Sequence, residues 1–306
     1  MMNSSTALPR RQFLAQTARA GAALAFAPRL SAADEAPAAG RFPLIVFNKP
    51  FQKLNFDDTA DVIAEVGWSG LECPVRAGGQ ILPENVEDEL PRLVEALKKR
   101  GLTFEILTSD ILAVNPRAEK VLRTAAKLGI RRFRLGFQYY DLAKPIAAQL
   151  AEIKPAMRDL AALCKDLGLR GGIQNHSGAR YVGAPVWDVH ELLHDIAPEH
   201  LGICFDIGHA TLEGGTAWPL NARLVEPMLT AVYVKDFAWQ KGDKGFTAKW
   251  GPLGEGMVRR EFFAWLKTTA YRGPISQHVE YQEGVGPEQT AAMKRDFATL
   301  KSWLAA

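Results

Sequence analysis

The run Leu169-Arg170-Gly171-Gly172-Ile173 stops at three polar side chains, Gln174, Asn175 and His176. The same habit recurs along the chain. Glu72 lies in SGLEC, Asp206 ends LGICFD with His209 just beyond, Tyr233 and Lys235 alternate in AVYVKD, and His278 and Glu280 alternate in PISQHVE. Residues two apart on a strand share a face, so Gln174 with His176, Tyr233 with Lys235, and His278 with Glu280 can point inward together. Converging imidazoles and carboxylates can hold a divalent ion, and a mixed nitrogen and oxygen set favours Mn²⁺ or Zn²⁺ over Mg²⁺. Such groups can also move protons. Taken singly, each has a plainer role: a strand-end histidine commonly serves hydrogen bonding alone, and Asp206 can cap the turn through Gly208. Their common position at strand ends favours a site.

Those strand ends need a scaffold that gathers them. Eight short β-branched or apolar runs are expected as strands: 43–48, 69–73, 102–107, 131–136, 169–175, 201–206, 231–236 and 274–280. Amphipathic stretches separate them, such as ENVEDELPRLVEALKKRG ending at Gly101 and AAQLAEIKPAMRDLAALCKDLG ending at Gly168. Strict alternation predicts a parallel sheet with right-handed crossovers. Eight such units in roughly 270 residues fit an α/β fold made of a single closed (β/α)₈ TIM barrel, whose chemistry sits at the carboxyl ends of its strands. An open doubly wound sheet is the alternative, but no Gly-rich dinucleotide fingerprint follows the first strand. His190, His194 and His200 fall in the helix and turn after the fifth strand and are assigned to the surface, and Arg131, Arg132 and Arg134 open the fourth strand and are assigned to solvation. The segment from Ala238 to Met257 reads as a loop whose Trp239, Phe246 and Trp250 either stack on a bound ring or pack the loop down.

The first 33 residues read separately. Arg10-Arg11-Gln12-Phe13-Leu14, a short small-residue apolar stretch and Ser31-Ala32-Ala33 form the pattern of a twin-arginine signal peptide cleaved near Ala33. Residues 34–41 then form a linker, and 42–306 the catalytic barrel; the expected location is periplasmic. Residues 1–33 hold four arginines and no acid, so their removal takes the formal charge from +3 to −1. That near-neutral balance opposes a nucleic-acid partner. The apolar stretch is too short and too rich in Gly and Ala for stable membrane insertion. Three cysteines, Cys73, Cys164 and Cys204, match no zinc or redox spacing and are too few and odd for a disulfide framework. Homo-oligomers are left open.

From about Phe42 to Trp303 the chain resembles the xylose isomerase-like sugar isomerase/epimerase family, which includes sugar epimerases, hydroxypyruvate isomerase, inosose dehydratase and related metal-dependent endonucleases. FDIGHA (205–210), VYVKDF (232–237), PLGEG (252–256) and HVEY (278–281) carry the resemblance. It implies one metal ion held by a Glu of the fifth strand, an Asp of the sixth, a His of the seventh and a Glu of the eighth. Asp206 and Glu280 match, and His209 matches the imidazole beside the site. Two positions depart: Gln174 stands where the family has Glu, and Tyr233 where it has His. The resulting expectation is a displaced ion, Mn²⁺ or Zn²⁺ and otherwise Mg²⁺, on His176, Asp206, His278 and Glu280 with Gln174 as an oxygen ligand. Glu72, Asn175, His209, Tyr233, Trp250 and Glu255 are expected to bind substrate.

The resemblance also implies abstraction of a proton beside the carbonyl of a carbohydrate. Gln174 cannot accept a proton, which weakens two-base epimerisation and suits isomerisation or a one-base lyase or hydratase acting on 3-keto-glycosides, with Glu280 as base and Lys235 or His176 as acid. A barrel that binds sugar without turnover is the non-enzymatic alternative, and the endonuclease branch is disfavoured by charge.

Overall fold

The computed structural model describes residues 41–306 except Lys244, Glu283 and Val285, so the expected signal peptide and residues 34–40 of the linker lie outside the described residues. Arg41, the last linker position, already reaches the barrel by donating to the Thr269 carbonyl at 2.6 Å.

Eight parallel strands close on themselves: β1 (Leu44–Phe47), β2 (Gly70–Pro74), β3 (Thr103–Thr108), β4 (Arg132–Arg134), β5 (Arg170–Gln174), β6 (Leu201–Asp206), β7 (Leu229–Val234) and, after an inserted hairpin of β8 (Asp236–Gly242) and β9 (Gly245–Gly251), β10 (Ile275–Gln277). β1 pairs with β2 on one side, Phe47 opposite Glu72, and with β10 on the other, Val46 opposite Gln277, which closes the barrel. The hairpin replaces the loop expected after the seventh strand, and Phe237 faces Trp250 across it.

Helices α1 (Phe56–Val66), α2 (Val86–Lys98), α3 (Pro116–Lys127), α4 (Ile146–Leu167), α5 (Val186–Leu193), α6 (Ile207–Gly214), α7 (Trp218–Leu224), α8 (Glu261–Leu266) and α9 (Pro287–Ala305) form the outer layer. Their ends follow from side-chain chemistry. Asn55 caps α1 by accepting from Asp58 N at 2.9 Å, and Asn115 does the same for α3 with Ala118 N. Gly168 ends α4 in the left-handed region at φ 63°, which glycine enters without a Cβ clash. Among the described residues no helix is long and apolar enough to cross a membrane.

Two apolar regions result. The large one lies between strands and helices, and a small one of Ile45, Ile106, Cys204, Ala231 and Tyr233 fills the barrel interior. Gly172 of β5 is required there, because a Cβ would meet the Cys204 sulfur at 2.5 Å. The three cysteines are buried and unpaired.

Candidate active site

Above that small interior cluster, the carboxyl ends of β2, β6, β7 and β10 carry an alternating chain of charge. Glu72 Oε2 lies 3.1 Å from His278 Nε2, His278 Nδ1 3.4 Å from Glu280 Oε1, Lys235 Nζ 3.2 Å from Glu280 Oε1 and 3.4 Å from Asp206 Oδ2. Lys49, just after β1, adds a cation on the solvent side, 2.7 Å from Glu280 Oε2. Glu72 and Asp206 are fully buried, whereas the Glu280 side chain keeps 19% exposure and borders an open cleft of about 570 Å³ lined by Lys49, Phe51, Lys53 and Gly284.

The local strand pattern explains this convergence. Tyr233 and Lys235 alternate inward along the end of β7, while Asp236 turns the other way. The Asp236 carboxylate accepts from the amides of Phe237 (2.8 Å), Gly254 (3.0 Å), Gly256 (3.0 Å) and Val258 (2.9 Å). It thereby fastens the PLGEG segment to the base of the hairpin. Gly256 must lack a side chain, since a Cβ would collide with Phe237 O and the Asp236 carboxylate.

Charge placement sets the protonation states. Burial alone would raise Asp206, but Lys235 and then His209 and His278 outweigh it and hold the carboxyl below its ordinary value. Burial likewise opposes ionisation of Glu280, yet Lys235 and His278 hold it well below the carboxylate range. Lys235 is pushed down by burial and up, by more, by Asp206 and Glu280, so it stays an ammonium. His278 is lowered by burial and raised on balance by Glu72, and Glu72, raised by burial, is lowered on balance by His278. As imidazolium, His278 hydrogen-bonds Glu72 through Nε2 and faces Glu280 through Nδ1 as a charge pair.

The other histidines differ. Burial and then Lys235 bring His176 down to about 4, and burial drives His209 well below the usual histidine value. Both are neutral at pH 7. The loops after β4 and β5 pair with each other, Tyr140 N donating to Arg180 O at 2.7 Å, and hold the His176 ring stacked on Tyr181 (4.3 Å) and against His209 (3.9 Å). Neutral His176 therefore lacks the proton expected of it as an acid at neutral pH, which leaves Lys235 as the charged donor.

The expected metal set is not brought together, and among the described residues no group of three His, Cys, Asp or Glu side chains is placed to hold an ion. His176 Nδ1 faces Ser177 O at 2.9 Å, and His278 Nε2 is committed to Glu72. Gln174 donates through Nε2 to Asp206 Oδ2 at 2.9 Å and accepts through Oε1 from Arg134 at 3.2 Å. The reverse amide orientation would set oxygen against carboxylate and NH₂ against guanidinium, so the oxygen expected as a ligand faces Arg134 instead. Asp206 also caps α6, accepting from His209 N at 3.0 Å, so its plainer role coexists with the site.

Of the expected substrate-binding residues, Glu72, His209 and Tyr233 lie in or against the cluster. Asn175 is tied to the Asp206 backbone by two hydrogen bonds of 2.9 and 2.7 Å and braces the strand. Tyr233 is fully buried and packs on His278 at 4.5 Å, with its hydroxyl in the apolar interior. Trp250 packs its edge on His209 at 5.0 Å, with Lys235 Nζ 4.7 Å from its ring centroid. Glu255 stands apart: it is exposed and borders a separate cleft with Gln240, Lys249 and Arg295. Trp239 and Phe246 are exposed farther out on the hairpin.

Two residues were missed. Arg134, assigned to solvation, is 2% exposed, donates to Gln174 and lies over the Phe137 ring at 4.4 Å. Its alternation with outward-facing Phe133 was the available signal. Arg132 behaves as a rim residue, pairing with Glu105 at 3.3 Å. Lys49 follows the first strand directly, where the strand-end rule applies to it as to the others.

The closed parallel barrel with a polar cluster at one end defines a TIM-barrel protein with its site at the carboxyl ends of the strands. A family model for the xylose isomerase-like TIM barrel matches residues 60–303, and the chain belongs to that family. Solved structures that share the fold include three enzymes named for different activities. The probable 3-DHS dehydratase involved in petrobactin synthesis from Bacillus anthracis is 16% identical, with TM-score 0.66 over 85% of this chain and 99% of its own. The 3-keto-D-glucoside 4-epimerase from E. coli is 14% identical, with TM-score 0.65 and the same coverage, 85% and 99%. D-psicose 3-epimerase from Clostridium cellulolyticum H10 is 12% identical, with TM-score 0.64 over 86% and 99%. No curated protein matches the sequence.

Proposed function

We propose that the chain is an enzyme of the isomerase/epimerase kind that removes a proton beside the carbonyl of a carbohydrate, using Glu280 as its single base. The observation that carries this reading is the contact between Glu280 Oε1 and Lys235 Nζ, 3.2 Å, beside an open cleft. Glu280 takes the proton from carbon, and the electron pair moves to the carbonyl oxygen, where the Lys235 ammonium offsets the charge. On a 3-keto-glycoside the enolate re-forms the carbonyl as the β carbon–oxygen bond breaks. Lys235 protonates the departing oxygen and recovers its proton from Glu280 across their contact, so each turnover ends as it began. Entry of substrate separates half-exposed Lys49 from Glu280, which removes one cation and makes the carboxylate a stronger base. On a ketose the same pair moves a proton along one face and isomerises the sugar.

The arginine pair at Arg10-Arg11 supports export to the periplasm, where phosphorylated sugars are scarce, so an unphosphorylated keto-sugar or 3-keto-glycoside is the proposed substrate. Incubating the protein in D₂O with a methyl 3-keto-glucoside, and separately with ketohexoses, tests the reaction by NMR. Deuterium beside the carbonyl, or release of methanol, is expected, and Glu280→Gln should lower the rate by about 10²–10⁴-fold. Tight sugar binding with neither exchange nor elimination would replace this reading with a sugar-binding barrel.

A further inference from the structure

We infer that this chain needs no divalent ion, and that the Lys235 ammonium is its built-in substitute. The inference rests on the proposed reaction and deepens it by naming what balances the charge on the enolate oxygen. The two carboxylates that match the family's metal ligands, Asp206 and Glu280, are bridged by one nitrogen, Lys235 Nζ, at 3.4 and 3.2 Å. That side chain is only 7% exposed and is braced by the Trp250 ring. A metal at the same place would have to expel a buried ammonium or sit within a few ångströms of it, and like charges so close in a largely dry site repel strongly.

The two departures from the family pattern fit the same exchange. Gln174 removes one negative charge and uses its amide NH₂ as a donor to Asp206, which a glutamate could not do. Its amide oxygen is occupied by Arg134, a guanidinium with 2% exposure, so that flank of the site is already cationic. Tyr233 puts a phenol where an imidazole would face the ion, and its hydroxyl is shut into the apolar interior with Cys204 and Ile106. Both Asp206 oxygens are in use: Oδ1 caps α6 while Oδ2 meets Gln174 and Lys235. Two ligand positions have therefore lost their charge or imidazole, and both oxygens of a third already meet donors of the chain. The cation they would have held is supplied by the chain itself. A lysine charge is weaker than that of a divalent ion, but it also carries protons, which a metal ion cannot donate.

Metal retention tests this apart from turnover. The protein is incubated with excess Mn²⁺ or Zn²⁺, desalted and measured by elemental analysis, alongside Glu280→Gln and the triple change Gln174→Glu, Tyr233→His, Lys235→Met. Wild type is expected to retain less than roughly 0.1 ion per chain, with a melting temperature unmoved by Mn²⁺, while the triple variant takes up an ion and melts higher with it. About one ion per wild-type chain, lost in Glu280→Gln, would overturn the inference. If the triple variant does not fold, wild-type retention and its Mn²⁺ melting shift decide alone. Retention of an ion without any proton exchange would count against both readings, whereas an ion-free protein that exchanges protons in excess EDTA supports both. An ion-free protein with no exchange leaves the cation substitution standing and removes the reaction.

Discussion

Replacing Lys235 by Met keeps the length of the side chain and removes its charge. The ammonium is almost fully enclosed, and deleting it leaves fully buried Asp206 facing Glu280 without the cation between them. Breaking a buried ion pair by removing one partner typically costs about 3–5 kcal/mol. Glu280 is 19% exposed and keeps Lys49 and His278, so the lower end applies, roughly 3 kcal/mol. For a barrel of this size that corresponds to a fall in melting temperature of about 6–12 °C. The pH dependence separates charge from packing. In wild type both carboxyls have folded values below their unfolded ones, so their stabilisation is complete above pH ~4 and is lost only as pH falls through the depressed values. Without Lys235, burial dominates at Asp206 and lifts its value above that of the unfolded chain. Protonation then relieves the variant on acidification. Thermal melts should therefore show a gap that is wide at pH 7 and narrows towards pH 5. A variant as stable as wild type at pH 7, or a gap that does not change with pH, would refute the charge argument.

Three further outcomes are expected. Glu72→Gln should destabilise most between the depressed value of Glu72 and the raised value of His278. The raised histidine contributes fully below its unfolded value and loses that contribution as pH rises through its folded one, so melts compared from pH 5 to 9 should converge on the alkaline side. Asp236→Ala strips the acceptor from four backbone amides and should cost on the order of 4 kcal/mol, visible as faster limited proteolysis within 252–258. Trp250→Ala removes the ring beside Lys235 and His209; on the proposed substrates it should raise KM by roughly 3–10-fold through loss of about 1 kcal/mol, with unchanged far-UV circular dichroism.

Strand positions were legible because period-two apolar runs bounded by Gly and polar residues leave few choices. LGICFD spans its strand from Leu201 to Asp206, whereas the expected 274–280 shortens to Ile275–Gln277. The hairpin was not legible: Trp239, Gln240, Lys241 and Phe246 alternate too weakly to be told from a loop, and the hairpin's base depends on Asp236 reaching amides as far as Val258. The site was half legible. Residue type and strand-end position found Glu72, Asp206, Lys235, His278 and Glu280. Sequence could not say that Lys235 stands between two carboxylates, because the barrel fixes the lateral order of β6, β7 and β10 but not how far each side chain reaches past its strand end. Arg134 was misread because an arginine inside a barrel runs against the usual cost of burying charge. Its neutral partner Gln174 lies 40 residues away.

The shortness of the last barrel strand has a mechanical consequence. Its ladder ends at Gln277; beyond it His278 N donates to Val234 O at 2.9 Å, and the next backbone tie is Gly284 N to Pro50 O at 3.1 Å, past Glu280. Glu280 thus hangs from the barrel by side-chain attractions to Lys235, His278 and Lys49 rather than by a backbone lattice. A carboxylate tethered in this way can follow a reacting carbon by a fraction of an ångström without deforming the wall behind it. Lys235, the acid of the proposed reaction, stays anchored, because it stands beside Asp236, which is pinned by four amides. On the proposed reaction a compliant proton acceptor meets a stiff proton donor, and that difference in stiffness arises where β10 stops.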